Sequence, residues 1–287
     1  MHLSDLFPLL SIQAGLTCLI AQISFSLLFA HVLPPGPWTK LPQLTAHQVV
    51  CFPMMIYLTY HGFIAWFTEQ DELAAQGMEG RTFGLSPRGH HMCAVVWGMM
   101  LLWDIPLNFV AQKLQSPIML IHHLGMCYVS GIGLGMFSNG YPLATYYGAF
   151  FFGVVELSSV FLTIVDLFHP KNAAWHEWLN TSESTVGNIA RKANEVSRVL
   201  FAIFFLITRC FMFPWVMGTA FIMDFWTAAN LPDEQRYGAS VVALMIVCFL
   251  AVSFTGLQLY WGLLVLKQVA KALGGTPKKQ ESQKKSK

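Results

Sequence analysis

Seven stretches of this chain are apolar for long enough to cross a lipid bilayer: residues 7–32, 47–67, 91–111, 118–137, 143–168, 199–226 and 241–265. A helix rises about 1.5 Å per residue, so about 20 apolar residues span the roughly 30 Å hydrocarbon layer. Within that layer every backbone N–H and C=O must find its partner in the protein, which leaves only helices or closed barrels. No two-residue alternation runs through the stretches, so a barrel is disfavoured. The pattern predicts an all-α, polytopic membrane bundle of about seven transmembrane helices.

Composition narrows the function. Only 11% of residues are charged, against about 25% in ordinary soluble domains. Seventeen bases and fifteen acids leave a net charge of +2, too balanced for nucleic-acid binding. Six isolated cysteines form no disulfide framework or metal-ligand pattern, and no metal or cofactor is expected. The first stretch has no Lys or Arg before it and runs past the length of a signal-peptide core, so it reads as a retained span.

Lys and Arg set the expected sidedness. The basic tail, with Lys267, Lys271 and the lysines beyond, reads as cytosolic, as do the connectors holding Lys40, Lys113 and Lys171. The opposite face receives Arg81, Arg88 and Arg236 among several acids, which places the N-terminus outside and the C-terminus in the cytosol. Lys284 and Lys285, fourth and third from the end, match a dilysine retrieval signal read by a coat receptor. The plainer reading is a basic tail attracted to anionic lipid.

Ionisable groups inside spans are costly and mark sites. Here they are Asp104, His122, His123, Glu156, Asp166, Arg209 and Asp224. Asp166 and Asp224 lie near span ends and are expected to reach the interface. At about 100° per residue, Glu156, Ser159, Thr163, Asp166 and Thr145 share an arc of about 80°, a stripe expected to face the interior. An interhelical strap is the bland alternative to a functional cavity. His122 and His123 point about 100° apart; they suit acid–base work around a small cavity better than joint coordination of one ion. His90-His91 serves as a contrast, a second pair with nothing else around it. Arg209 needs a carboxylate, with Glu156 first and Asp166 second, or a lipid headgroup. Pro214 is expected to kink the helix just beyond Arg209.

Ile121-His122-His123-Leu124, then Glu156-Leu157-Ser158-Ser159, then Asn194-Glu195 leading to Thr208-Arg209, stand in order on successive spans. In this the chain resembles the TLC-domain family of membrane proteins. The resemblance covers roughly residues 45–270 as a TLC-like transmembrane domain, leaving 1–44 as an N-terminal span with its connector and 271–287 as a basic cytosolic tail. Ceramide synthases of that family carry a further His-Asp signature, which is absent here, as is their homeobox-like soluble insert. The resemblance is therefore to the smaller branch, and implies a multi-pass endoplasmic-reticulum protein of lipid homeostasis. On that reading Arg209, Asn194, Ser159 and Asp166 would face a lipid headgroup. The alternative is an acyltransferase using acyl-CoA as co-substrate, with His122, His123 and Glu156 catalytic. Membrane lipids and the retrieval coat are the expected partners, with a homo-oligomer admissible. A seven-helix receptor is disfavoured, because no Asp-Arg-Tyr closes the third span and no Asn-Pro-x-x-Tyr ends the seventh. A transporter is disfavoured because no inverted repeat is visible.

Overall fold

The structure is a computed structural model that describes residues 3–273. Lys284 and Lys285 lie outside the described residues. Every regular element is helical, and no strand occurs among the described residues. We number the main helices α1 (apolar span Leu9–Val32), α2 (Pro42–Thr68), α3 (Pro87–Val110), α4 (Pro117–Gly133), α5 (Thr145–Leu167), α6 (Ala173–Thr181), α7 (Thr185–Ala229) and α8 (Val241–Leu273).

Six of these are long and apolar enough to cross a membrane. The fourth expected stretch forms the 17-residue α4, at the lower end of spanning length. Large apolar side chains point outward, as in Ile20, Phe109, Phe211 and Phe249. That is the arrangement of a protein solvated by lipid.

Helix starts follow the sequence. Pro42, Pro87 and Pro117 open α2, α3 and α4, where a missing N–H costs nothing. Ser86, Ser116 and Ser184 cap α3, α4 and α7 by accepting from Gly89, Met119 and Gly187 N–H groups. The polar segment 172–197 divides in two. Its first part is the separate helix α6, whose Trp175 indole donates to Thr45 Oγ1 at 2.9 Å; the remainder runs without a break into the 45-residue α7.

Three prolines in or just beyond the spans follow a widened turn, whereas Pro53 is held inside the regular helix α2. Wide π turns occupy Leu28–Val32, Met100–Asp104 and Phe205–Met212, each ending just before Pro34, Pro106 or Pro214. Proline cannot donate to the carbonyl four residues back, and the ladder adjusts by shifting to bonds five residues apart. The expected disturbance at Pro214 takes this form, with a further π stretch at Met217–Phe221.

Two close backbone approaches fix the packing. A Cβ on Gly62 of α2 would lie 2.4 Å from the Gly153 Cα of α5, and one on Gly98 of α3 would lie 1.9 Å from the Ser11 carbonyl oxygen of α1. Backbones meet this closely in membranes because dispersion, not water exclusion, draws helices together. Gly153 also marks a break: α5 stops after Phe151 and resumes through a 3-10 turn at Val154–Glu156.

Away from the bundle centre, Arg81 grips Asp224 with two parallel hydrogen bonds of 2.7 and 2.8 Å, while the Tyr147 hydroxyl donates to the same carboxylate. Asp224, near the end of its span, is therefore paired within the protein and only 4% exposed. His91 also has company: Tyr57 Oη lies 2.5 Å from its Nε2, and His61 lies beside both rings. There Arg88 forks onto Glu69, and that hydrogen bonding holds the Glu69 carboxyl below its ordinary range.

Candidate functional site

Between α4, α5, α7 and α8 lies a narrow cavity with almost wholly apolar walls, Met126, Phe151, Phe213, Met217, Val247 and Phe254 among them. Its free space for water-sized spheres is about 40 Å³, on the order of three waters. Four polar residues stand in the lining: His122, Glu156, Arg209 and Gln258.

Arg209 organises this end. Its Nη2 donates to Glu156 Oε2 at 3.1 Å and to Ser159 Oγ at 2.9 Å, its Nε to Ser158 Oγ at 2.8 Å, and its Nη1 to Gln258 Oε1 at 3.4 Å. Glu156 and Arg209 are 8% and 7% exposed. A lone charge at that depth would be prohibitive, and pairing with further hydrogen bonds makes it tolerable. The π turn carries Arg209, and the 3-10 turn after Gly153 carries Glu156. Each charge thus sits where its helix departs from regular geometry, as functional residues often do.

The same break resets the phase of α5. Thr145 does not join the stripe: its hydroxyl accepts from the Ser86 N–H and donates to the Gly84 carbonyl at the far end of the helix. Ser158 and Ser159 both reach Arg209 instead. Asp166 lies at the end of α5, bonded to Gln48 at 2.9 Å and to Lys171 at 2.6 Å, and does not line the cavity. Nor does Asn194, which stands fifteen residues before Arg209, roughly 22 Å along α7.

His122 faces the cavity, edge-on to Phe254 and Trp261 at centroid distances of 5.1 and 5.7 Å. Its Nδ1 is buried and has no hydrogen-bond partner among the described residues. Gly125 makes room for this contact, since a Cβ there would lie 2.4 Å from Phe254 Cζ.

His123 turns the other way, toward a second cluster. Asp104 Oδ2 lies 2.9 Å from His123 Nδ1, close enough for charge attraction although the angle is outside hydrogen-bond geometry. Its other oxygen lies 3.0 Å from His47 Nε2. The three come from α3, α4 and α2, each about 8–9 Å in from the helix end that bounds the Lys40 or Lys113 connector. Among the described residues no group of three or more His, Cys, Asp or Glu has the spacing to hold a metal ion.

Sequence reasoning thus named His122, His123, Glu156, Ser159 and Arg209; the structure sets His122, Glu156 and Arg209 in the cavity lining with Ser159 bonded to Arg209, and turns His123 toward the second cluster. It did not single out His47, Ser158 or Gln258, and it gave Asp104 no role. The usable signal was Pro106, two residues after Asp104, which predicts a local change of helical pitch.

A bundle of lipid-facing helices around an apolar slot with an ionised, hydrogen-bonded end belongs to the polytopic membrane proteins. The TLC-domain profile matches residues 43–267, and the chain belongs to the TLC-domain family. Neither a curated protein nor a solved structure matches the chain.

Proposed function

We propose that this protein binds a single-chain membrane lipid, headgroup against His122, Arg209 and Gln258 and chain in the aromatic slot, and acts in lipid homeostasis of the endoplasmic reticulum. One observation carries the reading: His122 lines an apolar cavity, and its buried Nδ1 has no hydrogen-bond partner among the described residues. Buried polar atoms are ordinarily satisfied, and one left open beside a cavity is explained by a ligand that pairs with it. Because Glu156 and Arg209 neutralise each other, the site suits an uncharged hydroxyl or amide headgroup better than a phosphate.

The test is photocapture in lipid nanodiscs with a monoacylglycerol carrying a diazirine in its chain. Adducts should map to cavity walls such as Phe151 and Val247. Ala251→Trp, which fills the slot, should reduce capture by about tenfold. Unchanged capture in that variant would remove the cavity from the account.

A second reading, an acyltransferase, is supported by the carboxylate beside His123, because carboxylate–imidazole pairs activate nucleophiles. It requires free CoA and an acylated product from acyl-CoA and lipid acceptors, both lost in His122→Ala/His123→Ala. Binding without turnover leaves the first reading; His122→Gln should then retain part of the capture, since Gln still hydrogen-bonds.

Location and sidedness are part of the proposal, resting on the distribution of Lys and Arg and on the basic tail. Lys284→Ser with Lys285→Ser should let the protein leave the endoplasmic reticulum. Unaltered localisation by microscopy would reduce the tail to a basic patch.

A further inference from the structure

We infer that Asp104 is the positioning residue for the His122–His123 pair, and that α1, which lies outside the matched domain, completes the site as the outer buttress of that carboxylate. The inference rests on the lipid-site reading above and extends it to residues that reading does not use.

A carboxylate this deep needs a positive partner. Among the described residues the candidates in contact are His47 and His123, at 3.0 and 2.9 Å from its two oxygens. Side-chain exposures of 13% for Asp104 and 15% for each histidine leave little room for water to substitute. The carboxylate sits between the two imidazoles with one oxygen facing each ring, and this placement keeps His123 turned toward Asp104. His122 is the next residue on the same helical turn, about 100° around the axis. Fixing His123 on the Asp104 side therefore holds α4 with His122 in the cavity lining, its Nδ1 without a partner among the described residues. The rings sit 5.6 Å apart.

Trp103 explains why His47 stays in place. Its indole stacks on the His47 ring at 5.1 Å, and the indole N–H points to Gln22 Oε1 on α1 at 3.4 Å. Gln22 is 2% exposed, and its amide donates to the Gln43 carbonyl at 3.0 Å and to Ser26 Oγ at 3.3 Å. A glutamine buried in an apolar span must satisfy its polar atoms within the bundle, and this one does so across α1, α2 and α3. The chain of contact runs from Gln22 through Trp103 and His47 to Asp104, then His123, and ends at His122. Trp103 and Asp104 share the π turn before Pro106, which presents both to the same neighbours.

The experiment uses the full chain in nanodiscs with ¹⁵N-labelled histidine, the His123 resonances being assigned by their loss in His123→Gln. Asp104→Asn keeps the shape and removes the charge. The protonation signature of His123 should change, and capture of the diazirine monoacylglycerol per folded protein should fall about tenfold, the scale of one lost charge-assisted contact. Gln22→Leu, which leaves Asp104 intact, should give a smaller loss of the same kind. A purely structural strap predicts an unchanged His123 signature and unchanged capture once the folded fraction is matched, and that result would overturn the inference. If Asp104→Asn does not fold, Gln22→Leu and Trp103→Phe carry the same two readouts. If the wild type captures no probe, the lipid-site reading fails, while the His123 resonances still decide whether Asp104 holds the pair.

Discussion

Arg209→Ala should lower the stability of the bundle by about 3–5 kcal/mol, and adding Glu156→Gln should restore a large part of that loss. The asymmetry follows from burial. The Glu156 and Arg209 side chains are only 10% and 9% exposed, so removing the guanidinium strands a carboxylate without its cation in a largely apolar surround. Gln in place of Glu removes the stranded charge and keeps a group that can donate to Ser159 or accept from a neighbour. Recovery should be incomplete, because Ser158, Ser159 and Gln258 also lose their donor. Thermal unfolding of the four proteins in one detergent measures the coupling. Losses that simply add would mean that the 3.1 Å contact carries no energy. The same series speaks to function. The double variant keeps an uncharged polar end, so capture of an uncharged headgroup should survive in it better than in Arg209→Ala alone.

Why that pairing could be read from sequence, and the His–Asp–His cluster could not, is a matter of numbers and phase. An arginine in mid-span has very few carboxylates within reach, and Glu156 is one of them; cost alone nearly dictates the pair. Span positions were legible for the same reason, since about 20 apolar residues have few other uses. Finer placement fails wherever a helix stops being regular. The calculated stripe on α5 assumes one continuous helix from Thr145 to Asp166, and the break at Gly153 shifts everything before it. That is why Thr145 bonds to the α3 cap and not to the polar end of the cavity. The break coincides with the close approach of Gly62 of α2 to Gly153, a contact between helices that no local pattern announces. His47 escaped notice because it opens a span, where a histidine is ordinary. Its importance comes from Asp104, fifty-seven residues later and turned toward it by the π stretch.

Gly98→Val should be the other severe change, because it bears on whether α1 is a component of the bundle or a neighbour of it. A Cβ at this position would lie 1.9 Å from the Ser11 carbonyl oxygen and 2.6 Å from its carbon. The obstacle is backbone, so no side-chain rotation relieves it. Gly15 makes the reciprocal approach, its Cβ position 2.3 Å from the Gly98 carbonyl oxygen. Restoring ordinary contact requires α1 to withdraw by about 1.5 Å, the difference between 1.9 Å and the 3.4 Å at which contacts become normal. The Gln22–Trp103 hydrogen bond is already 3.4 Å long, and such a shift breaks it. The expected loss is at or beyond the top of the roughly 1–3 kcal/mol range for overpacking, with lipid capture reduced alongside it. Gly256→Ala is the matched control, since nothing lies within 4 Å of a Cβ there, and it should leave both readouts unchanged. If the two variants behave alike, α1 is loosely held and the domain at 43–267 makes the site unaided. If Gly98→Val loses lipid capture even in the fraction that stays folded, the helix outside the family domain is part of what the domain needs to work.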